Sequence, residues 1–244
     1  MEARNLVLID RTVMILDALA AGPGTVLSLG ELARRTNLPK SSVHRVLAAL
    51  GMHGAVERSG RGYRLGTRLF ELGEKVPRIA RLRACALPFL QDLYGASNAM
   101  VHLAILDGSD VIYLERVRGH RHNPATFRLS GRQPAYCTGV GKAMLAHNSE
   151  AADAILAKPL QSRTPYTVTD PDVLRTQLNT ARVAGVAVDR EEHTLGVSCL
   201  AAPIVSGDRA VGAISITTTS SDIDRYGTAL RAAALGIRRS FPGT

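Results

Sequence analysis

Between Ser28 and Leu50 the chain reads SLGELARRTNLPKSSVHRVLAAL, and this stretch restricts the possible folds more than any other. Leu29, Leu32, Ala33 and Thr36 recur at helical spacing, Ser28 stands where an N-cap belongs, and Glu31 three residues on completes a capping box. Asn37-Leu38-Pro39 leaves room only for a tight turn. Beyond it Val43, Val46, Leu47 and Leu50 form a second apolar stripe at i, i+3, i+4 and i+7. Lys40, Ser41, Ser42, His44 and Arg45 gather donors and positive charge in the first turns of that helix, where free backbone N–H groups already favour an anion. Two helices across a tight turn, the second polar at its N-terminal end, set a recognition helix into a DNA major groove.

The flanks extend this reading. Ile9, Val13, Leu16 and Ala20 keep helical spacing until Gly22-Pro23-Gly24 breaks it. After the recognition helix, AVERSGRGYRL predicts a hairpin with Val56, Tyr63 and Leu65 apolar around the turn Ser59-Gly60-Arg61-Gly62. Its arginines, Arg58, Arg61 and Arg64, would lie along a phosphate backbone or in a minor groove. Charge agrees: the 244 residues carry a formal +9, and residues 1–70 hold ten Lys and Arg against five Asp and Glu. So basic a protein meets a polyanion. Three cysteines, far apart and without a C-x-x-C pair, argue against a disulfide framework or a zinc site and for a reducing cytoplasm. No signal peptide and no membrane-length apolar run is recognisable, and no metal or cofactor is expected.

Past the wing, Leu69, Leu72 and Val76 predict a linker helix from Gly66 to Val76 that Pro77 should end or kink, with Leu69 and Leu72 as a dimer seam. RLRACALPFLQDLYG predicts another helix on Leu82, Cys85, Ala86, Phe89 and Leu93, with Pro88 opening or bending it and Cys85 a buried small hydrophobe. From Met100 the period becomes two. AMVHLAIL and VIYLERV flank the hairpin signal Asp107-Gly108, and His102 among them reads as a hydrogen-bonded core residue. Asp170, Pro171 and Gly185 frame a helix. VAVDREEHTLGVSCLAAPIV, the turn Gly207-Asp208 and AVGAISITTT give further strands. Ser221 with Asp224 caps a last helix striped by Ile223, Gly227, Leu230, Ala234 and Ile237. Helices and antiparallel strands so mixed define an α+β domain.

Two constellations here could carry chemistry. CTGVGKAMLA, from Cys137, is no Walker motif, since Tyr136 and Ala143 stand where a P-loop needs Gly and Ser or Thr. It suits either a helix start that binds a carboxylate or close packing. Asp189, Cys199, Ser215 and Thr217 form the second set, Ser215 and Thr217 sharing a strand face. Cys199 near His193 and Asp189 resembles a nucleophile set only superficially, because a triad is spatial. A Cys-dependent hydrolase would need a depressed thiol pKa. No catalytic residue is assigned and the chain is not expected to be an enzyme.

Residues 28–73, SLGELARRTNLPKSSVHRVLAALGMHGAVERSGRGYRLGTRLFELG, resemble the winged helix-turn-helix of the IclR-type bacterial transcriptional regulators. LPKSSVHRVLAAL followed by YRLG is close to that family's pattern, and the C-terminal half carries matching elements. The resemblance implies a DNA-binding domain over 1–66, a linker helix over 67–80 and a GAF-like α+β effector domain with an antiparallel sheet over 81–244. It implies a cytoplasmic homodimer or homotetramer on a pseudo-palindromic operator in double-stranded DNA. The expected role is a repressor controlled by a small organic acid, with activation the alternative. DNA contacts fall to Lys40, Ser41, Ser42, His44, Arg45, Arg58 and Arg61. Carried across by the resemblance, the effector pocket falls to Gly139, Val140, Gly141, Asp189, Cys199, Ser215 and Thr217. The sequence departs from the family at Tyr136, where His is common.

Overall fold

A computed structural model describes residues 7–21, 24–118, 132–219 and 223–241. Gly22-Pro23 of the first predicted break and Ser221 of the last predicted cap lie outside the described residues. The chain divides into two compact units, Met1–Ala80 and Arg81–Thr244.

The first unit contains helices α1 (Leu8–Ala20), α2 (Leu29–Thr36) and α3 (Lys40–Met52), the hairpin β1 (Val56–Ser59) and β2 (Gly62–Leu65), and α4 (Thr67–Gly73). Leu32, Val43, Val46 and Leu47 meet Ile15, Leu19 and Val56 in one core. Ser28 caps α2 as predicted: its hydroxyl accepts from the Glu31 N–H while the Glu31 carboxylate accepts from the Ser28 N–H. Asn37 takes the left-handed conformation (φ 53°) that an asparagine tolerates, turning the chain between α2 and α3. Tyr63 exchanges two backbone hydrogen bonds with Leu27, which ties the wing to the segment before α2.

Three expectations are corrected here. The buried residues of α1 are Ile15 and Leu19, while Ile9 and Val13 are 71% and 50% exposed and Ala20 is exposed too. The predicted stripe is off by about 100°, one residue's rotation. The apolar arc of LIDRTVMILDALA is wide enough to hold Ile9, Val13 and Ala20 at one edge and Ile15 and Leu19 at the other, so spacing alone could not choose between the edges. The linker helix ends at Gly73, short of Pro77, and Pro77 opens the next helix, where a missing N–H costs nothing. Of the two roles expected for Pro88, opening a segment is overturned, since it sits inside α5 (Pro77–Ser97), the place from which a proline bends a helix.

The second unit is built on a six-stranded antiparallel sheet in the order β5-β4-β3-β8-β7-β6. Its strands are β3 (Met100–Asp107), β4 (Asp110–Val117), β5 (Arg132–Pro134), β6 (Ala187–Arg190), β7 (Ser198–Ser206) and β8 (Arg209–Thr218). The helices are α5, α6 (Gly139–Leu145), α7 (Ser149–Leu156), α8 (Pro171–Ala184) and α9 (Gly227–Ser240). Asp170 caps α8 through the N–H groups of Asp172 and Val173, and Gly185 ends it at φ 69°, as the sequence predicts. One sheet face packs Val101, Leu103, Leu200, Ile214 and Ile216 against Leu82, Leu90, Leu230 and Ile237 of α5 and α9. The other packs Ala104, Ala201 and Ala213 against Val140, Met144, Leu174 and Leu178 of α6 and α8. Cys85 is half-buried rather than buried, its thiol donating to the Ser240 carbonyl.

The register of β3 on β4 shifts by one between Leu103 and Ala104: Leu103 faces Glu115 but Ala104 faces Tyr113. Leu114 is the extra residue of a bulge. Among the described residues no helix is long and apolar enough to cross a membrane.

Candidate functional sites

On α3 the inward arc is Ser42, Val43, Val46 and Leu47, and the outward arc is Lys40, Ser41, His44 and Arg45. Ser42 therefore departs from its expected place. It is 8% exposed and borders a cleft lined by Leu8, Arg11 and Thr12 of α1 together with Arg45. The wing carries Arg58, Arg61 and Arg64, all exposed. Arg64 is held at 3.0 Å by Glu57 across the strand pair, and the Glu57 carboxylate also accepts the Thr67 N–H that opens α4. The Arg58 guanidinium lies 5.7 Å from the Tyr63 ring centre, which fixes its direction, while Arg61 stands in the turn. On α4, Phe70 is 70% exposed and Leu72 49%, on opposite sides of the helix, while Leu69, the expected seam partner of Leu72, is half-buried.

In the second unit, strand register assembles the polar set that sequence could not place. Asp189 pairs with Cys199, and Cys199 pairs with Thr217, giving one row across β6, β7 and β8. Ser215 lies two residues along the same face and pairs with His102 on β3. All five side chains are buried on the α6 side of the sheet. The sequence predicts His102 to be a hydrogen-bonded core or edge residue. Its Nδ1 is 3.3 Å from the Thr217 hydroxyl, but its Nε2, like the Ser215 Oγ, has no hydrogen-bond partner among the described residues. Two orphaned buried groups on one face cost about 1–3 kcal/mol each unless something satisfies them. The His102 ring stands edge-on to Tyr113, with centroids 5.2 Å apart. Neither residue could be recognised in advance, because each depends on which strand lies beside it and, for Tyr113, on the bulge.

Electrostatics here are set by desolvation. Burial pushes the His102 imidazole down to about 3, with Arg116 adding to the effect, so the ring is neutral. Burial pushes the Asp189 carboxyl up to about 7, against the opposing pull of the Glu192 N–H and the Lys142 charge. Burial raises the Cys199 thiol to about 11, the wrong direction for a nucleophile. His193 gives that thiol no help, since its ring nitrogens are engaged by Thr194 at 2.9 Å and Gln133 at 2.7 Å.

Close packing explains the glycines of α6. A Cβ on Gly141 would lie 2.1 Å from the Ala135 carbonyl oxygen, and one on Gly139 would lie 2.9 Å from the Cys199 sulfur. The helix is thus pressed onto β7 at its first turn. Thr138 caps it by accepting from the Gly141 N–H, which removes that group from any ligand. The N–H groups of Gly139 and Val140, the first two of the helix, need no intrahelical acceptor. The anion that Lys142 meets is the protein's own, for its ammonium is buried in an ion pair with Glu192 and donates to Gln177 at 3.2 Å.

A winged helix-turn-helix unit followed by a separate α+β unit with a buried polar sheet face is the build of a DNA-binding transcriptional regulator. Residues 8–60 match the IclR helix-turn-helix domain, and residues 76–239 match the bacterial transcriptional regulator IclR C-terminal domain. The chain belongs to the IclR family of bacterial transcriptional regulators. It is 31% identical to the HTH-type transcriptional regulator XynR of Escherichia coli strain K12, over 96% of each chain. Identity to the transcriptional repressor IclR of the same strain is 30%, over 96% of this chain and 90% of that one. An IclR homologue from Microbacterium hydrocarbonoxydans, solved in complex with 4-hydroxybenzoate, superposes with a TM-score of 0.88 at 31% identity, covering 96% and 98% of the two chains.

Proposed function

We propose that this protein is a transcriptional repressor whose operator affinity is set by a small organic acid bound on the inner face of the second unit's sheet. The observation that carries this reading is the pair of unpartnered buried atoms, His102 Nε2 and Ser215 Oγ, on one face. If the Thr217 hydroxyl donates to Nδ1, the proton of the neutral imidazole sits on Nε2 and is free to donate to a carboxylate. Ser215 and the first N–H groups of α6, at Gly139 and Val140, supply further donors. Asp189 and Cys199 border the ligand, and Gly141 acts by allowing the helix its close approach. The relative in complex with 4-hydroxybenzoate supports an aromatic acid as the class, and two relatives named as repressors support the sign of regulation.

On DNA, Lys40, Ser41, His44 and Arg45 read the major groove, while Arg58 and Arg61 hold phosphates or the minor groove; Ser42 is withdrawn from the set because it is buried. One recognition helix spans too few base pairs for a unique address, so a two-fold dimer on a pseudo-palindrome is the working form.

The test titrates 4-hydroxybenzoate and related acids into the wild type and the Ser215→Ala, Thr217→Val double variant, following thermal shift and release of a fragment from upstream of the adjacent genes. The double variant should bind that fragment normally and lose the response. A response equal to wild type would refute the pocket.

A further inference from the structure

Outside the sheet face just described, the second unit has a cleft of about 550 Å³ between α8 and the outer edge of β6, which is the edge strand of the sheet. It shares no lining residue with the polar set around His102. Its walls are mostly apolar, from Val168, Ala181, Ala184, Val186 and Val188, with Thr176, Thr180 and Arg190 also lining them; Arg190 is engaged by Asp224. Its floor is the Lys142–Glu192 ion pair, whose side chains are only 3% and 7% exposed.

That floor is built, rigid and incompletely satisfied. The Glu192 N–H donates to Asp189 at 2.8 Å, and the Glu192 carbonyl accepts from the hydroxyls of Thr164 and Thr167. One carboxylate oxygen of Glu192 takes Lys142; the other, Oε2, is buried with no partner. Lys142 has three N–H donors, of which Glu192 and Gln177 use two. A buried ion pair that served packing alone would be expected to satisfy its remaining lone pairs and protons, because an unmet buried charge is costly. Here an acceptor and a donor are left side by side at the bottom of an apolar cleft.

We propose that this cleft is a second small-molecule site, for a neutral ligand with a carboxamide or hydroxyl head on an apolar body. Such a head donates to Glu192 Oε2 and accepts from the third N–H of Lys142. A carboxylate head would meet the free Glu192 oxygen and be repelled; an ammonium head would meet the Lys142 ammonium. The selectivity is therefore opposite to that of the acid site, which needs donors only.

The probes are benzamide, benzoate and benzylamine, one ring with a neutral, an anionic and a cationic head, titrated into the full chain by calorimetry and saturation-transfer NMR. Benzamide should bind saturably, at the order of 1 mM that a fragment of its size allows. The two charged analogues should bind at this cleft at least about fivefold more weakly, as losing one head-group interaction implies. Ala184→Phe fills the cleft from its wall without touching the ion pair, and Thr180→Phe does so from another exposed wall position of α8. Whichever of these folds as wild type should weaken benzamide about tenfold or more, while Ser215→Ala, Thr217→Val leaves benzamide unaffected. No benzamide binding, binding undiminished by the filling variants, equal binding of benzoate blocked by those variants, or loss in the Ser215, Thr217 variant would each overturn the proposal. Benzoate binding that only the last variant removes belongs to the acid site, which keeps the two readings separate.

Discussion

Replacing His102 by Asn should remove part of the protein's sensitivity to acid, by an amount the structure sets. A histidine free in the unfolded chain titrates near 6.5, whereas burial holds the folded ring down to about 3. Between those values the unfolded chain binds a proton that the folded chain refuses. Stability from this group is thus complete above pH 6.5 and is lost progressively as pH falls toward the folded value. From pH 7 to pH 5 the unfolded imidazole gains about 2 kcal/mol of protonation free energy and the folded one almost none. That figure holds for any folded value well below 5. His193, pushed down to about 4 by burial, works in the same direction. Asp189 works against both: raised to about 7 in the folded state, it favours the folded chain as pH falls through 7. The net slope therefore says little about His102, and the variant isolates it. Asn retains a polar atom near the Nδ1 position, facing Thr217. Urea unfolding of the second unit's transition, followed by circular dichroism at pH 7 and pH 5, should give a loss of stability about 2 kcal/mol smaller in His102→Asn than in wild type. Equal losses in the two proteins would mean that the imidazole is hydrated or charged in the fold, and would refute its assignment as a neutral buried donor.

Effector binding should strengthen as pH falls from 8 to 6, because an acid beside Asp189 favours its protonated form; calorimetry at three pH values with proton-uptake analysis checks this, and a flat profile would exclude Asp189 from the ligand's neighbourhood. Gly141→Ala drives a methyl into the Ala135 carbonyl and should cost several kcal/mol, read as a large fall in the melting temperature of the second unit's transition. Arg45→Ala should lower operator binding by about 1–3 kcal/mol and random-duplex binding far less, whereas Arg61→Ala should weaken both and flatten the salt slope by about one, in competition assays across salt. Leu72→Asp should yield monomers in ultracentrifugation, since it places a charge on the seam expected at Leu69 and Leu72, where Leu72 is 49% exposed; dimers that survive it would place the seam elsewhere.

What the sequence revealed followed the reach of each signal. The Ser28–Glu31 box, the stripe of α3, the Gly60 and Gly108 turns and the Asp170 and Gly185 limits of α8 are local, and each was legible because its partners lie within four residues. The inward edge of α1 was not legible, because its apolar arc is wide and only tertiary packing selects the edge that is buried. Ser42 fell with its neighbours by residue type although it sits one step around the helix from them. At the buried face, Ser215 and Thr217 could be paired by their period of two. The place of His102 opposite Ser215 is a fact of strand order over more than a hundred residues of separation. Glu192 escaped notice for the same reason: its meaning comes from Lys142, fifty residues earlier.

The bulge at Leu114 constrains how this protein can change over generations. With it, Leu114 and Glu115 lie on the α5 side and Tyr113 stands beside His102; were Leu114 drawn into the ladder opposite Ala104 instead, Tyr113 would move opposite Ile105 and turn to the α5 side. A single-codon deletion at Leu114 would therefore remove the bulge and keep the remaining side chains of the strand on their own faces, whereas a deletion at Ile112 would move the residues on one side of it to the opposite face. Point substitutions at His102, Tyr113, Ser215 or Thr217 leave the frame untouched. Descendants of this gene can acquire new ligands by exchanging letters on a fixed sheet, and the bulge is the place where that strand can change length without exchanging its two faces.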